Sequence, residues 1–263
     1  MNARVRVVKI GGRPQSDPLL PGAIAHAWAQ RANALVLVHG GGDEISALQR
    51  ASGVEPRFVG GRRVTSEQDI AILRMALSGS ANKRLVSALN SALVNAVGIS
   101  GEDAGLFSAR AMDLTNMGRV GEPFRVRTEL VRVLLDAGFL PVISPLSRDA
   151  AADATTGGGE RSALNVNGDD AAAMLAVALG AEELLLVADV AGVLANGQPV
   201  PRLDPEGARA LIDDGTAAGG MAAKLEAALM ALDGEVERVR IGDIAAIADP
   251  HRGTVIAREA SPV

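Results

Sequence analysis

Two stretches far apart in the chain combine a lysine with paired glycines. Lys9 stands just before Gly11-Gly12, and Gly219-Gly220 stand just before Lys224. A phosphoryl group in transfer is stabilised by preorganised cations and by backbone N–H groups that approach it closely, and both stretches offer these groups. Either stretch alone also fits an ordinary turn or helix start. Together they predict a site for moving a phosphoryl group.

A third glycine run follows an apolar segment at residues 35–38. It reads His39-Gly40-Gly41-Gly42-Asp43 and leads into a pattern typical of a helix. The N–H groups of Gly41 and Gly42 would then lie at a helix N-terminus, which attracts anions. A tight strand-to-helix turn is the alternative interpretation. The chain has only three histidines and none forms a metal-type pair with another, so a structural role is expected for His39.

Two further polar motifs suit a small anionic ligand. Arg62 and Arg63 follow a glycine pair, and arginine binds carboxylates in a bidentate manner. In Asn165-Val-Asn167-Gly-Asp169 the two amides share one face of an extended segment, and Asp169 opens an alanine-rich helix. The alternatives are a solvated arginine pair and a helix N-cap formed by Asp169 or its neighbour Asp170.

These motifs need a sheet and helices to position them. Near-continuous apolar runs at residues 5–10, 35–38, 140–143 and 184–187 predict strands buried on both faces. Apolar stripes at three-to-four spacing predict helices between them, with stripe positions Ile70, Leu73, Leu77, Leu85, Leu89 and Leu93. The alternation predicts an α/β fold with a mainly parallel sheet. A hairpin is expected within residues 107–126, followed by a helix that Thr128 caps.

Composition limits the classes of partner. The 263 residues allow one to two domains, and the net charge of -5 gives no electrostatic footprint for nucleic acid or an anionic membrane surface. The chain has no cysteine, which excludes disulfides and thiolate metal sites and agrees with a cytoplasmic enzyme. We see neither a signal peptide nor an apolar run long enough to span a membrane. We therefore expect a soluble protein with a small-molecule substrate.

The complete set of motifs, in this order, resembles the amino acid kinase family. The resemblance extends over nearly the whole chain and rests on Lys9-Ile-Gly-Gly12, His39-Gly-Gly-Gly42, Arg62-Arg63-Val-Thr65, Asn82-Lys83, Asn165-Val-Asn167-Gly-Asp169 and Gly219-Gly-Met-Ala-Ala-Lys224. It implies a three-layer αβα sandwich with two lobes. Residues 1–164 would bind an acyl amino acid and make a homodimer contact, and residues 165–263 would hold ATP with Mg2+.

The resemblance also implies a reaction and a set of roles. The γ-carboxylate of N-acetyl-L-glutamate would attack the γ-phosphorus of ATP, as in the second step of arginine biosynthesis. Lys9 and Lys224 would stabilise the phosphoryl group, and Asp169 would orient both lysines. The implied substrate-binding residues are Gly41, Gly42, Arg63, Asn165 and Asn167, with Arg63 for the α-carboxylate and Asn165 for the acylamino group. The implied nucleotide-binding residues are Gly11, Gly12, Asp189, Val190, Ala191, Gly192, Val193, Leu194, Thr216, Ala217 and Ala218.

Three alternatives stay open on the sequence. A sister kinase of the same fold would act on an aminoadipate carried by a small acidic protein. A non-catalytic amino-acid sensor would keep the fold without turnover, although Lys9, Asp169 and Lys224 are all present. A dinucleotide-dependent redox enzyme lacks its glycine fingerprint here. Arg13-Pro14 and the glycine-rich segment at 150–162 depart from the family pattern, and both could alter the substrate pocket or its lid.

Overall fold

The fold is built on a single large sheet with helices on both faces. A computed structural model describes residues 4–31, 33–152, 159–195 and 197–258. In these ranges the strands are β1 (Arg6–Ile10), β2 (Leu35–His39), β3 (Phe58–Val59), β4 (Arg62–Arg63), β5 (Ala96–Gly101), β6 (Phe107–Ala111), β7 (Val120–Val126), β8 (Leu140–Asp149), β9 (Ala163–Val166), β10 (Glu183–Val187), β11 (Leu194–Ala195), β12 (Gln198–Pro199), β13 (Arg202–Leu203), β14 (Arg238–Gly242) and β15 (Thr254–Ile256).

The main sheet has eleven strands in the order β13-β15-β14-β10-β1-β2-β8-β6-β7-β9, with β5 paired to β8. At its centre β1 pairs in parallel with β10 on one side and β2 on the other. β2 pairs in parallel with β8, and β10 with β14. All four predicted apolar runs are therefore strands, and the prediction of a mainly parallel sheet is confirmed.

The helices form one layer on each face of the sheet. They are α1 (Leu20–Gln30), α2 (Gly42–Ala51), α3 (Glu67–Leu73), α4 (Asn82–Ser91), α5 (Glu129–Asp136), α6 (Gly168–Leu179), α7 (Pro205–Asp213), α8 (Gly220–Asp233) and α9 (Ala245–Ala248). Successive strand residues point to opposite faces, so Val7 packs with α6 and α8 while Val8 packs with α1 and α4. The implied three-layer αβα sandwich is present, because two cores lie on either side of the sheet.

The predicted hairpin exists, since β6 and β7 pair antiparallel. Thr128 occupies the N-cap position of α5, but its side chain makes no capping hydrogen bond, so this detail of the prediction is wrong. The hydroxyl instead accepts a hydrogen bond from Arg132 Nε at 3.2 Å. Leu93 was expected on the apolar stripe of α4, yet the helix ends at Ser91 and Leu93 is 94% exposed with φ of 62°.

The glycine-rich segment at 150–162 lies partly outside the described residues, because 153–158 are not among them. The expected lobe boundary between residues 164 and 165 falls inside β9, which pairs with both β7 and β8. A π-helical segment, Arg74–Ala81, joins α3 directly to α4. In the described part of the chain, every helix is too short or too polar to cross a membrane.

Candidate active site

Three charged side chains from distant parts of the chain meet at the carboxyl end of β1. Lys9 Nζ lies 2.8 Å from Oδ1 of Asp169, and Lys224 Nζ donates to Oδ2 of the same carboxylate at 3.2 Å. Lys9 and Asp169 are buried and Lys224 is largely so, with side-chain exposed fractions of 8%, 6% and 13%. Two ammonium groups therefore share one carboxylate, which leaves this cluster of three with a net positive charge.

The charges of the cluster alter its proton affinities. Burial by itself raises the pKa of Asp169, but the charges of Lys9 and Lys224 outweigh this effect and hold that pKa below its usual value. Burial lowers the pKa of Lys9, with Asp169 opposing the shift and the charge of Lys224 adding to it. The carboxylate is therefore ionised at neutral pH and fixes the two ammonium groups beside each other.

The fold explains why these residues meet. Lys9 shares with Val7 the face of β1 on which α6 and α8 pack; Asp169 is the second residue of α6 and Lys224 the fifth residue of α8. Asn167 is the N-cap of α6, because its Oδ1 accepts a hydrogen bond from the N–H of Asp169 at 2.8 Å. The capping alternative for Asp169 is thus wrong, and its carboxylate is available to the lysines.

The two lysine-glycine stretches share a backbone conformation. Gly12 has φ 48° and ψ -131°, and Gly219 has φ 55° and ψ -121°. Residues with a Cβ rarely adopt these angles, so glycine is required at both positions. Gly11 contributes differently, since a Cβ there would lie 2.7 Å from Lys9 Nζ. The glycines therefore shape the backbone next to each lysine and leave room for the ammonium group.

A first cavity, of about 510 Å³, opens on one side of the cluster. Its lining includes four of the predicted nucleotide-binding residues, namely Gly11, Gly12, Asp189 and Val190, together with both lysines. The other seven, Ala191–Leu194 and Thr216–Ala218, do not line it. Val193 and Ala217 lie in the apolar core instead. The lining also contains Arg13, Pro14, Asp43, Gly220 and Met221, which the sequence prediction did not include.

A second cavity, of about 230 Å³, lies on the other side of the cluster, and we call it the acyl cavity after the acyl amino acid that the family resemblance predicts for it. All five predicted substrate-binding residues line it, which are Gly41, Gly42, Arg63, Asn165 and Asn167. Lys9 and Gly220 line both cavities, so the two spaces meet at the cluster. Asp169 lines the acyl cavity, and Lys224 lines the first one. The N–H groups of Gly41 and Gly42 lie at the start of α2, where the helix dipole favours an anion.

Arg63 is held in the wall of the acyl cavity by several contacts. Its Nη2 donates to the carbonyl oxygen of Gly42 at 2.9 Å and to Ser46 Oγ at 2.8 Å, and its Nη1 donates to Gln49 Oε1. The guanidinium carbon also lies 4.7 Å from the centre of the Phe58 ring. Gln49 and Ser46 were not predicted. Their spacing from Gly42 along one helix was the available signal, because residues 42, 46 and 49 share a helix face.

His39 lies on the opposite face of the sheet end and is fully buried. Its Nε2 contacts Asn82 Nδ2 at 3.0 Å, and its Nδ1 lies 2.7 Å from the carbonyl oxygen of Gly40. An amide nitrogen can only donate, so Nε2 accepts and Nδ1–H donates to Gly40. Burial lowers the pKa of His39 to about 4. The expected structural role is consistent with this geometry, since the neutral ring ties the glycine run to α4.

This fold, with a cavity on each side of two clustered lysines, is that of a phosphotransferase of the kinase type. A model of the amino acid kinase family matches residues 4–243, and the chain belongs to that family. It is 40% identical over 255 residues to the acetylglutamate kinase of Roseiflexus castenholzii, covering 96% of this chain and 94% of the relative. It is 42% identical over 250 residues to the acetylglutamate kinase of Paracoccus denitrificans, covering 91% and 77%.

A solved structure also shares the fold. The crystal structure of smu.665 from Streptococcus mutans superposes with a TM-score of 0.84 at 27% sequence identity, covering 97% of this chain and 99% of the other. The similarity therefore extends over both cavities and the cluster between them. The family that the ordered motifs predicted is confirmed.

Proposed function

We propose that this chain transfers the γ-phosphoryl group of ATP to the γ-carboxylate of N-acetyl-L-glutamate, the second step of arginine biosynthesis. The observation that carries the proposal is the meeting of two cavities at Lys9, Asp169 and Lys224. A donor and an acceptor bound in separate cavities would face each other across two ammonium groups. The relatives that are about 40% identical over almost the full chain carry the name of this activity.

The chemistry follows from the charges at the junction. A γ-carboxylate oxygen attacks the γ-phosphorus as the bond to the β,γ-bridging oxygen breaks, which yields N-acetylglutamyl 5-phosphate and ADP. The attacking carboxylate is already ionised at neutral pH, so the step requires no general base. Lys9 and Lys224 stabilise charge on the phosphoryl oxygens in flight, and Asp169 holds both in place. The N–H groups of Gly41 and Gly42 bind the reacting end of the acceptor.

The remaining predicted residues supply binding. Arg63 pairs with the α-carboxylate, Asn165 binds the acylamino group, and Asn167 orders the start of α6 as its N-cap. Gly11, Gly12, Asp189 and Val190 bind the nucleotide in the first cavity, which we call the nucleotide cavity. We retain the segments 191–194 and 216–218 as the expected wall for the rest of the nucleotide, although they lie outside that cavity's lining.

Magnesium is part of the proposal as a companion of ATP. Mg2+ is usually held by substrate phosphates with one or two carboxylates and several waters, and it neutralises charge on the phosphates. Asp43 and Asp189 are the carboxylates that line the nucleotide cavity, which fits this mode. In the described residues no group of three or more His, Cys, Asp or Glu side chains is placed to hold a metal by itself.

The lobe assignment and the assembly rest on the family resemblance. We propose that residues 1–164 carry the acyl amino acid and the contact of a cytoplasmic homodimer, and that residues 165–263 hold the nucleotide. The nucleotide cavity is also lined by residues from the first part of the chain, including Lys9 and Arg13. Sedimentation equilibrium on the purified protein tests the dimer, and a monomer or a hexamer would contradict it.

The test of the activity traps the acyl phosphate with hydroxylamine. The purified protein is incubated with Mg-ATP and each of N-acetylglutamate, N-succinylglutamate, glutamate, aspartate and carbamate. We expect hydroxamate from N-acetylglutamate, its loss in Lys9→Ala, and its retention in Lys83→Ala, because Lys83 is exposed and lines neither cavity. A carrier-linked aminoadipate is assayed in parallel, and absence of product from all six substrates would favour the sensor. Turnover confined to a carrier-linked aminoadipate would favour the sister kinase.

A further inference from the structure

Arg62 is a second arginine in the acyl cavity, beside Arg63 on β4. Its Nη2 donates to Asp170 Oδ2 at 2.9 Å, and the two side chains are 20% and 4% exposed. The Nε atom of Arg62 is buried and has no hydrogen-bond partner among the described residues. The proposed reaction gives Arg62 no role.

A buried N–H group without an acceptor is costly, and such groups in proteins normally have a partner. Arg63 differs from its neighbour, because its two terminal nitrogens donate to Gln49, Ser46 and the Gly42 carbonyl oxygen. Asp170 holds the guanidinium of Arg62 through Nη2, while Nε is covered and has no acceptor among the described residues. Because Arg62 lines the cavity, a shift of its side chain that opens Nε to the cavity would let a bound ligand supply the missing acceptor.

The group that Arg62 would bind follows from the substrate's functional groups, so this step rests on the proposed function. N-acetylglutamate carries two carboxylates and one amide. The γ-carboxylate belongs at Lys9, and the α-carboxylate is assigned to Arg63. The amide has one donor, its N–H, and one acceptor, its carbonyl oxygen. These two groups still require partners in the cavity wall.

The cavity offers one partner of each kind. Asn165 uses its Nδ2 to donate to Thr65 Oγ1 at 2.9 Å, so its Oδ1 is the side-chain atom left to accept the amide N–H. Arg62 Nε is a donor and therefore matches the carbonyl oxygen. A free amino acid would instead place an ammonium group beside a lining whose charged members are Lys9, Arg62, Arg63 and Asp169. That ammonium would be repelled and would leave Nε unpaired.

We propose that Arg62 is a specificity-determining residue that donates a hydrogen bond from Nε to the acyl carbonyl oxygen of the N-acylated substrate. It would act together with Asn165 Oδ1, so that both polar atoms of the amide are bound. The pair makes the enzyme select acylated over free amino acids. Asp170 is a positioning residue in this arrangement, since it holds the guanidinium without reaching the ligand.

The test compares Arg62→Met and Arg62→Lys with Arg57→Met as the matched control, because Arg57 is exposed just before the same hairpin and does not line the cavity. We expect Arg62→Met to raise the KM for N-acetylglutamate about tenfold to a hundredfold, the scale of one hydrogen bond to a charged group. The KM for ATP should stay unchanged, which also shows that the variant is folded. Arg57→Met should match the parent protein.

Arg62→Lys separates binding from a purely structural role. Lysine keeps a positive charge opposite Asp170 but has no donor at the Nε position, so the KM defect should persist. The parent should also bind N-acetylglutamate more tightly than N-thioacetylglutamate, whose nitrogen stays uncharged and whose sulfur is a weaker acceptor than the carbonyl oxygen, and this preference should shrink in both variants. Full rescue by lysine, or an unchanged KM in Arg62→Met, overturns the inference. If the parent itself phosphorylates no acylglutamate, the proposed function fails instead.

Discussion

A buried ionic cluster lies at each end of strand β1, and the two clusters differ in the contacts that their cations make. At the amino end Glu183 is surrounded by Arg6, Arg238 and Arg240, and at the carboxyl end Asp169 is flanked by Lys9 and Lys224. Each cluster has one carboxylate and an excess of cations, and each carboxylate is almost fully buried. By composition and burial alone they would look equivalent.

The two clusters differ in which atoms accept hydrogen bonds from their cations. Arg240 donates from Nε to Glu183 and from its two other nitrogens to the carbonyl oxygens of Ala246, Asp249 and Arg252. Arg6 donates to the carbonyl oxygens of Ala246 and Ile247, and its Nε is 2.5 Å from Glu183 Oε2 in an ionic contact without hydrogen-bond geometry. These arginines bind α9 and the loop after it to the sheet.

The lysines at the other end have donors to spare. Each ammonium group has three N–H donors, and in the described structure Lys9 and Lys224 each contact one oxygen of Asp169. Both also line open cavities. A buried cation whose donors are used by protein atoms stabilises the fold, whereas one with free donors beside a cavity can stabilise a ligand. Substitutions in the cluster around Glu183 should therefore lower stability and leave turnover unchanged. Substitutions of Lys9 or Lys224 should lower turnover and affect stability less.

The largest effect is expected for Glu183→Gln, which should lower the free energy of unfolding by about 3–5 kcal/mol, because it leaves buried guanidinium groups without their counter-charge. Urea denaturation measures it. The control is Glu182→Gln, whose carboxylate is 25% exposed and should contribute about 1 kcal/mol or less. The folded fraction of Glu183→Gln should keep a normal kcat. If the variant does not fold, Arg238→Met provides the milder test, and an unchanged stability in either would break the comparison.

Lys9→Ala should act on turnover. Loss of one preorganised charge stabiliser should reduce kcat about 100-fold to 1000-fold, which is about 2.7–4 kcal/mol in the activation barrier. Because Asp169 keeps Lys224 as a partner, the unfolding free energy should fall less than in Glu183→Gln. The same result is expected for Lys224→Ala, with Lys83→Ala as the control. Near-normal kcat in either Lys9→Ala or Lys224→Ala would contradict the proposed mechanism.

His39 gives a smaller effect with a defined pH window. Its pKa is lowered from 6.5 to about 4 in the fold, so the unfolded chain binds a proton first as pH falls. The free energy of unfolding therefore decreases as the pH falls from about 6.5 to about 4. The decrease is at most about 3 kcal/mol, since one pKa unit corresponds to about 1.36 kcal/mol. The unfolding free energy is measured at pH 7 and at pH 4. The difference between the two values should be smaller in His39→Asn than in the parent, by the amount that His39 contributes. The control His26→Asn, at an exposed position, should keep the parent's difference.

The smallest change concerns the alkaline limit of activity. The lowered pKa of Lys9 predicts that kcat/KM falls at a pH below the ordinary lysine value of 10.5, as the ammonium loses its proton. Asp169 opposes that shift of the Lys9 pKa. In Asp169→Asn the alkaline decrease of the residual kcat/KM should therefore occur at a still lower pH. An alkaline decrease at or above pH 10.5 in the parent, or a shift in the other direction in the variant, would contradict the assignment of Lys9.

Much of the fold was readable in advance because the sequence is locally consistent. Apolar runs marked four parallel strands, and glycines marked the turns where the sheet opens to ligands. Errors came where tertiary contacts replaced a local rule. Leu93 follows the helical period but lies past the end of its helix, and Thr128 occupies a cap position while its hydroxyl serves Arg132.

For the site, the sequence determined which residue types were available and in what order, and this was enough to indicate the family. The resemblance implied that Asp169 orients Lys9 and Lys224, and the tertiary structure supplies the contacts and their cause, because α6 and α8 pack on the same face of β1. The tertiary structure also decided that Asn167, and not Asp169, caps α6, and that the carboxylate of Asp169, unlike that of Glu183, holds cations that line open cavities. The order and spacing of residues in the sequence indicate which chemical groups are available. Which acceptor each N–H donor contacts depends on residues that come together only when the helices pack on the sheet.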